Sequence, residues 1–432
     1  MKKYSVILIG AGIRGTTYTN KMLALKDQFK VVGVAEPIEN RRNNIKNKHG
    51  IPDDMCFNGW EEILSRPKMA DIAVITTMDE MHYAPAMKAI ELGYDILLEK
   101  PVAPTPKECA NILLAAEKKG VKILVCHVLR YTLFFKKVKK IIMDGTIGDI
   151  MSVLHVEGVG NVHQSHSYVR GNWHSEKETS PMLLAKCCHD LDILQWLLDE
   201  PCDKIQSFGK LTYFTPKYAP EGAPKRCIDG NCPIEDSCPY NCRKLYYESK
   251  DNTWFRPACT RGISKADIPT DQEVMTALKT TDYGLCVYHA NNDVVDHQTV
   301  NMQFKSGANV TLTMNAFNKG GRYIRIFGTK GELFAYMDSD KINVYTFDDS
   351  KSTEIPITSS DGSILSGHGG GDGGLICELY DYLSGNYSGF CAADIDISVR
   401  NHLIGFAAEK SRREDTVESI DEYFASFGLV ND

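Results

Sequence analysis

Two short stretches of the sequence carry side chains suited to proton transfer. The first is Glu99-Lys100-Pro101, at the end of the apolar run 96–98. The second surrounds His189, which follows Lys186 and precedes Asp192 by three residues each. A lysine and a histidine are common partners in acid–base chemistry. An exposed Glu99-Lys100 charge pair and a structural buried histidine are the alternative interpretations.

Residues 181–198 predict one helix with an apolar face and a polar cluster. Lys186 and His189, like His189 and Asp192, are i,i+3 neighbours, so we expect these three side chains to line one wall. Lys186 also precedes Asp190 by four residues, which leaves a plain ion pair as the alternative for that couple.

Gly10-Ala11-Gly12-Ile13-Arg14-Gly15 is a G-x-G-x-x-G run between a predicted strand and a predicted helix. This context predicts a dinucleotide site, in which the pyrophosphate lies at the helix N-terminus. Glu36 lies about 20 residues further on, where an acid binds the adenosine ribose 2′-hydroxyl. We therefore expect NAD. Arg41 and Arg42 could bind a 2′-phosphate, so NADP stays open as the less favoured cofactor.

The first 126 residues contain the elements that would position these groups. Short runs rich in Val and Ile alternate with helix-like segments, which is typical of βαβ units and a parallel sheet. The predicted strands are 4–9, 29–35, 71–76, 94–98 and 122–128, and the predicted helices are 14–26, 81–92 and 106–119. The fold class is therefore α/β, with a Rossmann domain at 1–126.

Residues 127–432 show a different pattern, with alternating strands and fewer helices. It predicts an α+β domain with a large, mostly antiparallel sheet. The predicted strands are 151–159, 205–213, 298–304, 309–316 and 324–327, and the predicted helices are 134–143, 181–198, 375–383 and 398–410. Residues 216–280 have weak periodicity and many Cys, Pro and Gly, so we expect a large irregular excursion there.

Composition and charge exclude several classes of protein. The chain has 432 residues, 43% of them hydrophobic and 24% charged, as in ordinary globular proteins. Its net charge of −7 disfavours nucleic-acid binding. No apolar stretch is long enough to cross a bilayer, and the N-terminal apolar run is too short for a signal peptide. We therefore expect no membrane partner and a cytoplasmic location.

The motifs as a set resemble the glucose–fructose oxidoreductase / inositol dehydrogenase / MocA family. The matching features are the glycine turn, Glu99-Lys100-Pro101, the segment 76–82, Gly145–Gly148 and His189–Asp192. The resemblance extends from the N-terminus to about residue 200, and it resumes at residues 325–332. It implies a Rossmann domain followed by an α/β domain whose open sheet often mediates homo-oligomerisation. It also implies NAD- or NADP-dependent oxidation or reduction of a carbinol carbon in sugars, cyclitols and related small molecules.

The resemblance also implies roles for individual residues. Lys100 would hydrogen-bond the reacting oxygen and the nicotinamide ribose, and His189 would exchange the hydroxyl proton. The candidate cofactor-binding residues are Gly10, Gly12, Ile13, Arg14, Gly15, Glu36, Arg41, Thr76, Thr77, His82, Glu99 and Lys100. The candidate substrate-binding residues are Arg130, Tyr131, Arg170, Trp173 and Asp192. For Trp173 a core position, and for Arg170 a surface charge, are the alternatives.

One position departs from the family pattern. Many relatives carry an Asp four residues before the catalytic His, whereas this chain has Ala185, followed by Lys186. The usual proton relay is therefore altered. We expect Lys186 to orient the substrate, or to act as a base if burial lowers its pKa.

Four of the 14 cysteines fall within the excursion at Cys227, Cys232, Cys238 and Cys242. The outer pairs have the spacing of structural zinc ligands, although neither pair is a CxxC. The spacing predicts a structural zinc site, and free thiols in an irregular loop are the alternative.

The leading functional hypothesis is an NAD(P)-dependent oxidoreductase acting on a sugar, glycoside or cyclitol. A second is a glycosidase that uses bound NAD transiently, with oxidation at C3 followed by elimination of the aglycone. The altered residues Ala185 and Lys186 favour keeping this second hypothesis. A third is a nucleotide-binding regulator without chemistry, which Lys100 and His189 argue against.

Overall fold

The computed structural model describes residues 2–264, 268–357, 370–387 and 390–431. Two sheets, each packed against helices, form the framework of this part of the chain. Their buried apolar side chains form one continuous core across both sheets, and two smaller cores lie near the excursion. Among the described helices, none is long and apolar enough to cross a membrane.

The first sheet is a six-stranded parallel Rossmann sheet with the order β3-β2-β1-β4-β5-β6. Its strands are β1 (Tyr4–Ile9), β2 (Phe29–Ala35), β3 (Cys56–Phe57), β4 (Ile72–Ile75), β5 (Asp95–Leu98) and β6 (Ile123–Val125). The strand order reverses between β1 and β4, which is where ligands bind in open α/β sheets. The predicted α/β fold class is confirmed.

Helices connect these strands, and local sequence determines where several of them begin and end. They are α1 (Ile13–Ala24), α2 (Glu39–His49), α3 (Trp60–Leu64), α4 (Tyr83–Leu92) and α5 (Pro106–Lys119). In α5, for example, the Thr105 hydroxyl caps the first turn, Pro106 occupies the first helical position, and Gly120 ends the helix in the left-handed conformation.

The second sheet has nine strands in the order β14-β13-β12-β11-β7-β10-β9-β8-β15. They are β7 (Ile150–Gly158), β8 (Cys202–Lys210), β9 (His297–Phe304), β10 (Asn309–Asn315), β11 (Gly321–Gly328), β12 (Gly331–Tyr336), β13 (Lys341–Thr346), β14 (Lys351–Pro356) and β15 (Glu418–Ser419). Only the pair β7–β10 is parallel. The mostly antiparallel sheet is confirmed, although β12 to β15 were not predicted.

The helices of this part are α6 (Leu133–Met143), α7 (Asn161–His163), α8 (Met182–Ala185), α9 (Cys188–Leu198), α10 (Phe255–Cys259), α11 (Asp271–Thr280), α12 (Gly371–Ser384), α13 (Ile395–Glu414) and α14 (Ile420–Ala425). One of them, α13, also contacts the first domain together with the residues just before it. The Ala393 carbonyl, just before α13, accepts a hydrogen bond from Val125 N, and His402 accepts one from Val102 N. The C-terminal part of the chain therefore helps to hold the two sheets together.

The prediction of one helix over 181–198 is wrong. The chain leaves the helical conformation at Cys187 (φ −90°, ψ 4°), so α8 and α9 are separate. Tertiary contacts explain the break: the Ala185 carbonyl accepts a hydrogen bond from Lys100, and Lys186 forms an ion pair with Glu157. Local propensity favours a continuous helix here, but these partners lie far away in sequence.

The excursion is more ordered than its weak periodicity predicts. It contains a π-helix at Arg243–Glu248 besides α10 and α11, and a small core that includes Tyr246, Phe255 and Val274. A capping box between Thr270 and Glu273 begins α11. The excursion is therefore a packed subdomain rather than a loose loop.

The glycine turn packs tightly against the end of β4 at Gly15, and a substitution there would test this packing. A Cβ atom at Gly15 would lie 2.2 Å from the Gly10 carbonyl oxygen and 2.6 Å from Thr76 Oγ1, whereas one at Gly12 would meet nothing within 4 Å. We predict that Gly15→Ala destabilises the fold by about 1–3 kcal/mol, as overpacking does. Gly12→Ala is the matched control and should change stability by less than about 0.5 kcal/mol. Urea unfolding of both variants measures this difference, and equal losses would contradict it.

Candidate functional site

The parallel register gathers a glycine, a threonine and two glutamates at one edge of the first sheet. Ile9 is paired with both Ala35 and Ile75, and Ile75 is paired with Leu98. The residues that follow these strand ends are Gly10, Glu36, Thr76 and Glu99. They therefore lie together at the carboxyl edge, beside the point where the strand order reverses.

The glycine turn and Glu36 form a surface that fits a dinucleotide. The buried Glu36 carboxylate accepts hydrogen bonds from Ala11 N (2.7 Å) and Ile38 N (3.0 Å), which holds it against the turn. The space beside Gly12 is open, as the approach of a pyrophosphate requires. Arg42 bonds the main-chain carbonyls of Glu36 and Pro37. The half-buried Arg41 is the remaining cation from the predicted pair.

A buried ion cluster ties the turn to β5 and α12. Arg14 Nε lies 2.8 Å from Glu99, its Nη2 lies 2.6 Å from Asp372, and the Tyr18 hydroxyl donates to Glu99 at 2.7 Å. Burial favours a raised pKa for Glu99, but Arg14 and Lys100 outweigh burial, so its pKa is lowered and the carboxylate stays ionised. Because the Arg14 guanidinium has these partners, we assign any dinucleotide contact of Arg14 to its main chain.

The loop after β4 contacts the loop after β5 through His82. Its Nδ1 lies 2.7 Å from the Pro101 carbonyl oxygen and its Nε2 lies 3.2 Å from that of Thr77. Thr76 Oγ1 donates to the Gly10 carbonyl at 2.6 Å. The polar atoms of Thr76 and His82 therefore brace the loops that surround the predicted cofactor site.

Lys100 and the His189 segment meet across the two domains. Lys100 Nζ donates to the Ala185 carbonyl at 2.8 Å, at the end of α8. The His189 ring meets the His127 ring edge-on, with 5.8 Å between centroids. Burial, and then Arg130 and Lys100, lower the pKa of His127 well below its usual value, so His127 is neutral. Lys100 and His189 are both half-buried, so they face the space between the domains rather than the core.

Lys186 is paired with a carboxylate from the second sheet. Its Nζ lies 3.2 Å from Glu157, and Arg322 Nε lies 2.7 Å from both Glu157 and Asp190. His155 Nε2 lies 2.8 Å from Asp190. The Lys186–Asp190 ion pair, which the spacing left as an alternative, is not formed. The break after α8 separates the two residues, and Asp190 is paired with Arg322 and His155.

The sequence motifs did not indicate Glu157, His155 and Arg322 as parts of the site. On β7 the residues 153, 155 and 157 are buried in strict alternation, so His155 and Glu157 occupy positions that face the core. A buried polar residue needs a partner, and two such residues on one strand are the signal that indicates a site. Arg322 has no comparable local signal, because its partners are reached through sheet pairing.

Arg130 and Asp192, two of the predicted substrate ligands, bind each other. Arg130 Nε and Nη2 donate to the two carboxylate oxygens of Asp192, both at 2.7 Å, and both side chains are buried. Asn401 donates to the same carboxylate at 2.6 Å. Neighbouring Tyr131 is also buried among apolar side chains. Asp192 therefore does not share a wall with Lys186.

The other two candidate substrate ligands lie in different surroundings. Arg170 is buried against the excursion, where it donates to the carbonyls of Leu285 and Tyr240, both at 2.8 Å. It is neither a surface charge nor directed at Lys100. Trp173 is half-buried and its Nε1 donates to Asp79 at 3.2 Å, which links it to the loop after β4. Trp173 therefore stays near the predicted cofactor loops.

The predicted zinc ligand set does not form a site for one ion. Among the described residues, no group of three or more His, Cys, Asp or Glu side chains is placed to hold a metal ion. Cys227 and Cys242 are neighbours, with Cys242 N donating to Cys227 Sγ at 3.4 Å. Cys232 and Cys238 do not join them around one point, so structural zinc is not supported.

Comparison with known families identifies the class to which this fold and site belong. Residues 4–127 match the oxidoreductase family model described as an NAD-binding Rossmann fold. Residues 139–363 match the C-terminal alpha/beta domain of the same family. The chain belongs to the glucose–fructose oxidoreductase / inositol dehydrogenase / MocA family of NAD(P)-binding oxidoreductases.

Relatives differ in how much of the chain they match. Putative oxidoreductase YteT of Bacillus subtilis is 26% identical over 77% of this chain and 79% of its own length. Inositol 2-dehydrogenase of Salmonella typhimurium is 23% identical over 46% of this chain and 56% of its own length. The 2,7-anhydro-N-acetylneuraminate hydratase of Escherichia coli is 27% identical over 47% of this chain and 53% of its own length. The chain thus matches about half the length of the latter two relatives.

Solved structures share the fold at low identity. Levoglucosan dehydrogenase, in a complex with NADH and levoglucosan, has a TM-score of 0.69 at 16% identity, over 97% of this chain and 100% of its own. An oxidoreductase domain protein from Kribbella flavida has a TM-score of 0.71 at 15% identity, with the same coverage. These similarities extend the shared fold over nearly the whole chain.

Substitution of Asp192 would test whether the Arg130–Asp192 ion pair stabilises the fold. We predict that Asp192→Ala destabilises the protein by about 3–5 kcal/mol, because it leaves the Arg130 cation buried without a countercharge. Glu91, which pairs with Lys88 on the surface of α4, offers a matched control. Glu91→Ala should cost at most about 1 kcal/mol. Urea unfolding of the two variants tests the comparison, and a mild effect of Asp192→Ala would show that Arg130 has another partner.

The buried His402 is expected to make the free energy of unfolding depend on pH. Burial, followed by the charge of His127, lowers the pKa of His402 to about 3. Its Nδ1 lies 2.6 Å from the Ser398 carbonyl and its Nε2 accepts from Val102 N, which suits the neutral ring. The unfolded state binds this proton near pH 6.5 and the folded state only near pH 3. Stability is therefore complete above 6.5 and falls as the pH drops through this interval.

We expect His402 to contribute a loss of about 2 kcal/mol between pH 7 and pH 5. His402→Gln should reduce the pH dependence of the unfolding free energy by about that amount. An unchanged pH profile in His402→Gln would refute this assignment.

Proposed function

We propose that this protein catalyses hydride transfer between NAD and a hydroxyl-bearing carbon of a sugar, glycoside or cyclitol. The observation that carries the proposal is the meeting of Lys100 with the His189 segment beside the carboxyl edge of the Rossmann sheet. Relatives named inositol 2-dehydrogenase support the substrate class. A bound nicotinamide would supply the hydride acceptor.

The geometry supports separate roles for the two residues. The Ala185 carbonyl uses one donor of Lys100, and the other two remain for the substrate oxygen and the nicotinamide ribose. This fixed cation would stabilise alkoxide charge as the hydroxyl proton leaves. His189 would take that proton, with the neutral His127 ring packed against its edge.

Lys186 and Glu157 would replace the carboxylate that is missing at Ala185. Glu157 lies between Lys186 at 3.2 Å and Arg322 at 2.7 Å, and its contact with Lys186 holds that side chain in place. We assign Lys186 the role of binding a substrate hydroxyl, because its Nζ can donate to a substrate oxygen besides Glu157.

Glu36 supports NAD over NADP. Its carboxylate lies at the turn, where a ribose 2′-hydroxyl can donate to it and a 2′-phosphate would be repelled. Of the two nearby arginines, Arg42 already bonds main-chain carbonyls, which leaves only Arg41 to attract a phosphate.

The test is NADH formation when a panel of cyclitols and anhydrosugars is offered with NAD. We expect Lys100→Met and His189→Asn each to lower kcat by about 10²–10⁴-fold. NADH binding by fluorescence should change little in His189→Asn and weaken in Lys100→Met, which loses a donor to the nicotinamide ribose. Lys88→Met, at an exposed lysine, is the matched control. Full activity in both site variants would overturn the assignment.

A second candidate is a redox-neutral elimination, as in the NAD-dependent glycosidase hypothesis. Two observations favour it: two relatives are named hydratases, and Glu157 with Lys186 would replace the usual carboxylate. Transient oxidation at C3 acidifies the C2 proton, so the aglycone departs, water adds, and the ketone is reduced again. Release of aglycone from a glycoside without net NADH, slowed by deuterium at C3, would favour this function over the first.

We also propose that a second copy of the chain covers the outer face of the nine-stranded sheet. Leu154, Phe208 and Tyr336 lie on this one face, and each is about half exposed. Large apolar groups collected on one sheet face are typical of subunit interfaces.

A further inference from the structure

His127 is a buried histidine whose polar atoms are not yet explained by the fold. Its exposed fraction is 0%, and neither ring nitrogen forms a hydrogen bond with any of the described residues. A buried polar group without a hydrogen bond is costly, so this ring needs an explanation. His127 follows β6, its ring contacts His189, and the charge of Lys100 acts on it. It therefore lies next to the proposed reaction centre.

Two other histidine rings contact His127, but only one of them can share a hydrogen bond with it. The His402 ring lies edge-on, with 5.7 Å between centroids. Its Nδ1 lies 2.6 Å from the Ser398 carbonyl oxygen and its Nε2 accepts from Val102 N, so both nitrogens are already used. His189, at 5.8 Å between centroids, is therefore the histidine that can pair with His127.

The Asp192 carboxylate has an acceptor position left at the oxygen nearest to His127. Its Oδ1 accepts from Arg130 Nη2 at 2.7 Å and from Asn401 Nδ2 at 2.6 Å. Among the described donors, its Oδ2 accepts from Arg130 Nε alone, at 2.7 Å. Each carboxylate oxygen can accept two hydrogen bonds. Oδ2 is also the atom that lies 3.7 Å from His127 Nδ1, slightly beyond hydrogen-bond distance.

The charges around His127 keep its ring neutral. Burial, followed by the cations of Arg130 and Lys100, lowers the pKa of His127 well below its usual value, and Glu99 acts in the opposite direction. A neutral imidazole has one donor nitrogen and one acceptor nitrogen. With the proton on Nδ1, beside the carboxylate, Nε2 is the acceptor. The other titratable side chains packed against the ring are Asp192 and His189 on α9 and His402 on α13.

We propose that His127 is a positioning residue for the base, with its Nδ1–H donating to Asp192 and its Nε2 accepting from protonated His189. This inference rests on the proposed hydride transfer, in which His189 takes the proton of the substrate hydroxyl. That proton stays on His189, and His127 keeps its own. An imidazolium that forms beside the Lys100 ammonium is unfavourable, so an acceptor held by a carboxylate stabilises it.

The distances are those of a site without substrate. The His127–Asp192 separation of 3.7 Å and the His127–His189 centroid distance of 5.8 Å are both slightly long for hydrogen bonds. Catalytic hydrogen bonds are often long before substrate binds, and they tighten in the complex. Protonation of His189 supplies the charge that would draw the three groups together.

The pH dependence of kcat distinguishes this role from simple packing. His127→Phe keeps a ring but removes both nitrogens, so His189 should become a weaker base in the complex. We expect kcat to fall about tenfold and the acid limb of its pH profile to move down by about one pH unit, while KM changes little. His402→Gln disturbs the same ring cluster but leaves the nitrogens of His127 in place, so its acid limb should not move.

The outcomes separate this role from the proposed function. Absence of NADH formation by the unmodified chain would overturn the proposed function, and the role of His127 with it. Turnover by the unmodified chain, together with an unmoved acid limb in His127→Phe, would overturn only the role of His127.

A measurement on the unmodified chain decides the matter even if His127→Phe fails to fold. Histidine-selective ¹⁵N NMR reports the protonation state and the tautomer of each ring. His127→Asn, which keeps a donor near the position of Nδ1, would assign the signal by its loss. We expect a neutral His127 ring with its proton on Nδ1 at neutral pH. A protonated ring, or a proton on Nε2, would overturn the proposal.

Discussion

Buried charges must be paired, and this constraint holds the site of the protein together. Three groups of buried ions lie between the two sheets: Arg14 with Glu99 and Asp372, Arg130 with Asp192, and Lys186 and Arg322 with Glu157 and Asp190. Each group joins residues that are far apart in sequence. A buried ion without its partner is strongly unfavourable, so each pair holds the elements that carry it in one arrangement.

The chemistry we propose depends on these pairs indirectly. Glu99 accepts a hydrogen bond from the main-chain N–H of Lys100, so the Arg14 cluster holds the base of that side chain. At the other end, the break after α8 frees the Ala185 carbonyl for Lys100 Nζ. The position of the ammonium is therefore set at both ends by main-chain and buried-charge contacts, which is the preorganisation that stabilisation of an alkoxide requires.

The network also explains how a family member can lack the usual carboxylate on the catalytic helix. Glu157 projects from β7 toward the place where Lys186 leaves α8, so the negative charge comes from the sheet. Compared with the usual family pattern, the site keeps one carboxylate and gains a lysine. In the reaction that we propose, this change would alter which substrate hydroxyls the pocket binds, while Lys100 and His189 would keep their roles.

Local patterns in the sequence were enough to predict five of the six strands of the Rossmann sheet, because a buried parallel strand needs an apolar run and a glycine turn needs its glycines. They also placed Glu36 and Lys100 at one edge of that sheet, since residues that follow parallel strands meet there. The partners of Arg130, Arg170 and Lys186 were decided only by tertiary structure. Charged side chains at a domain junction bind whichever opposite charge or carbonyl the packing brings near. Spacing along the chain carries no information about such meetings.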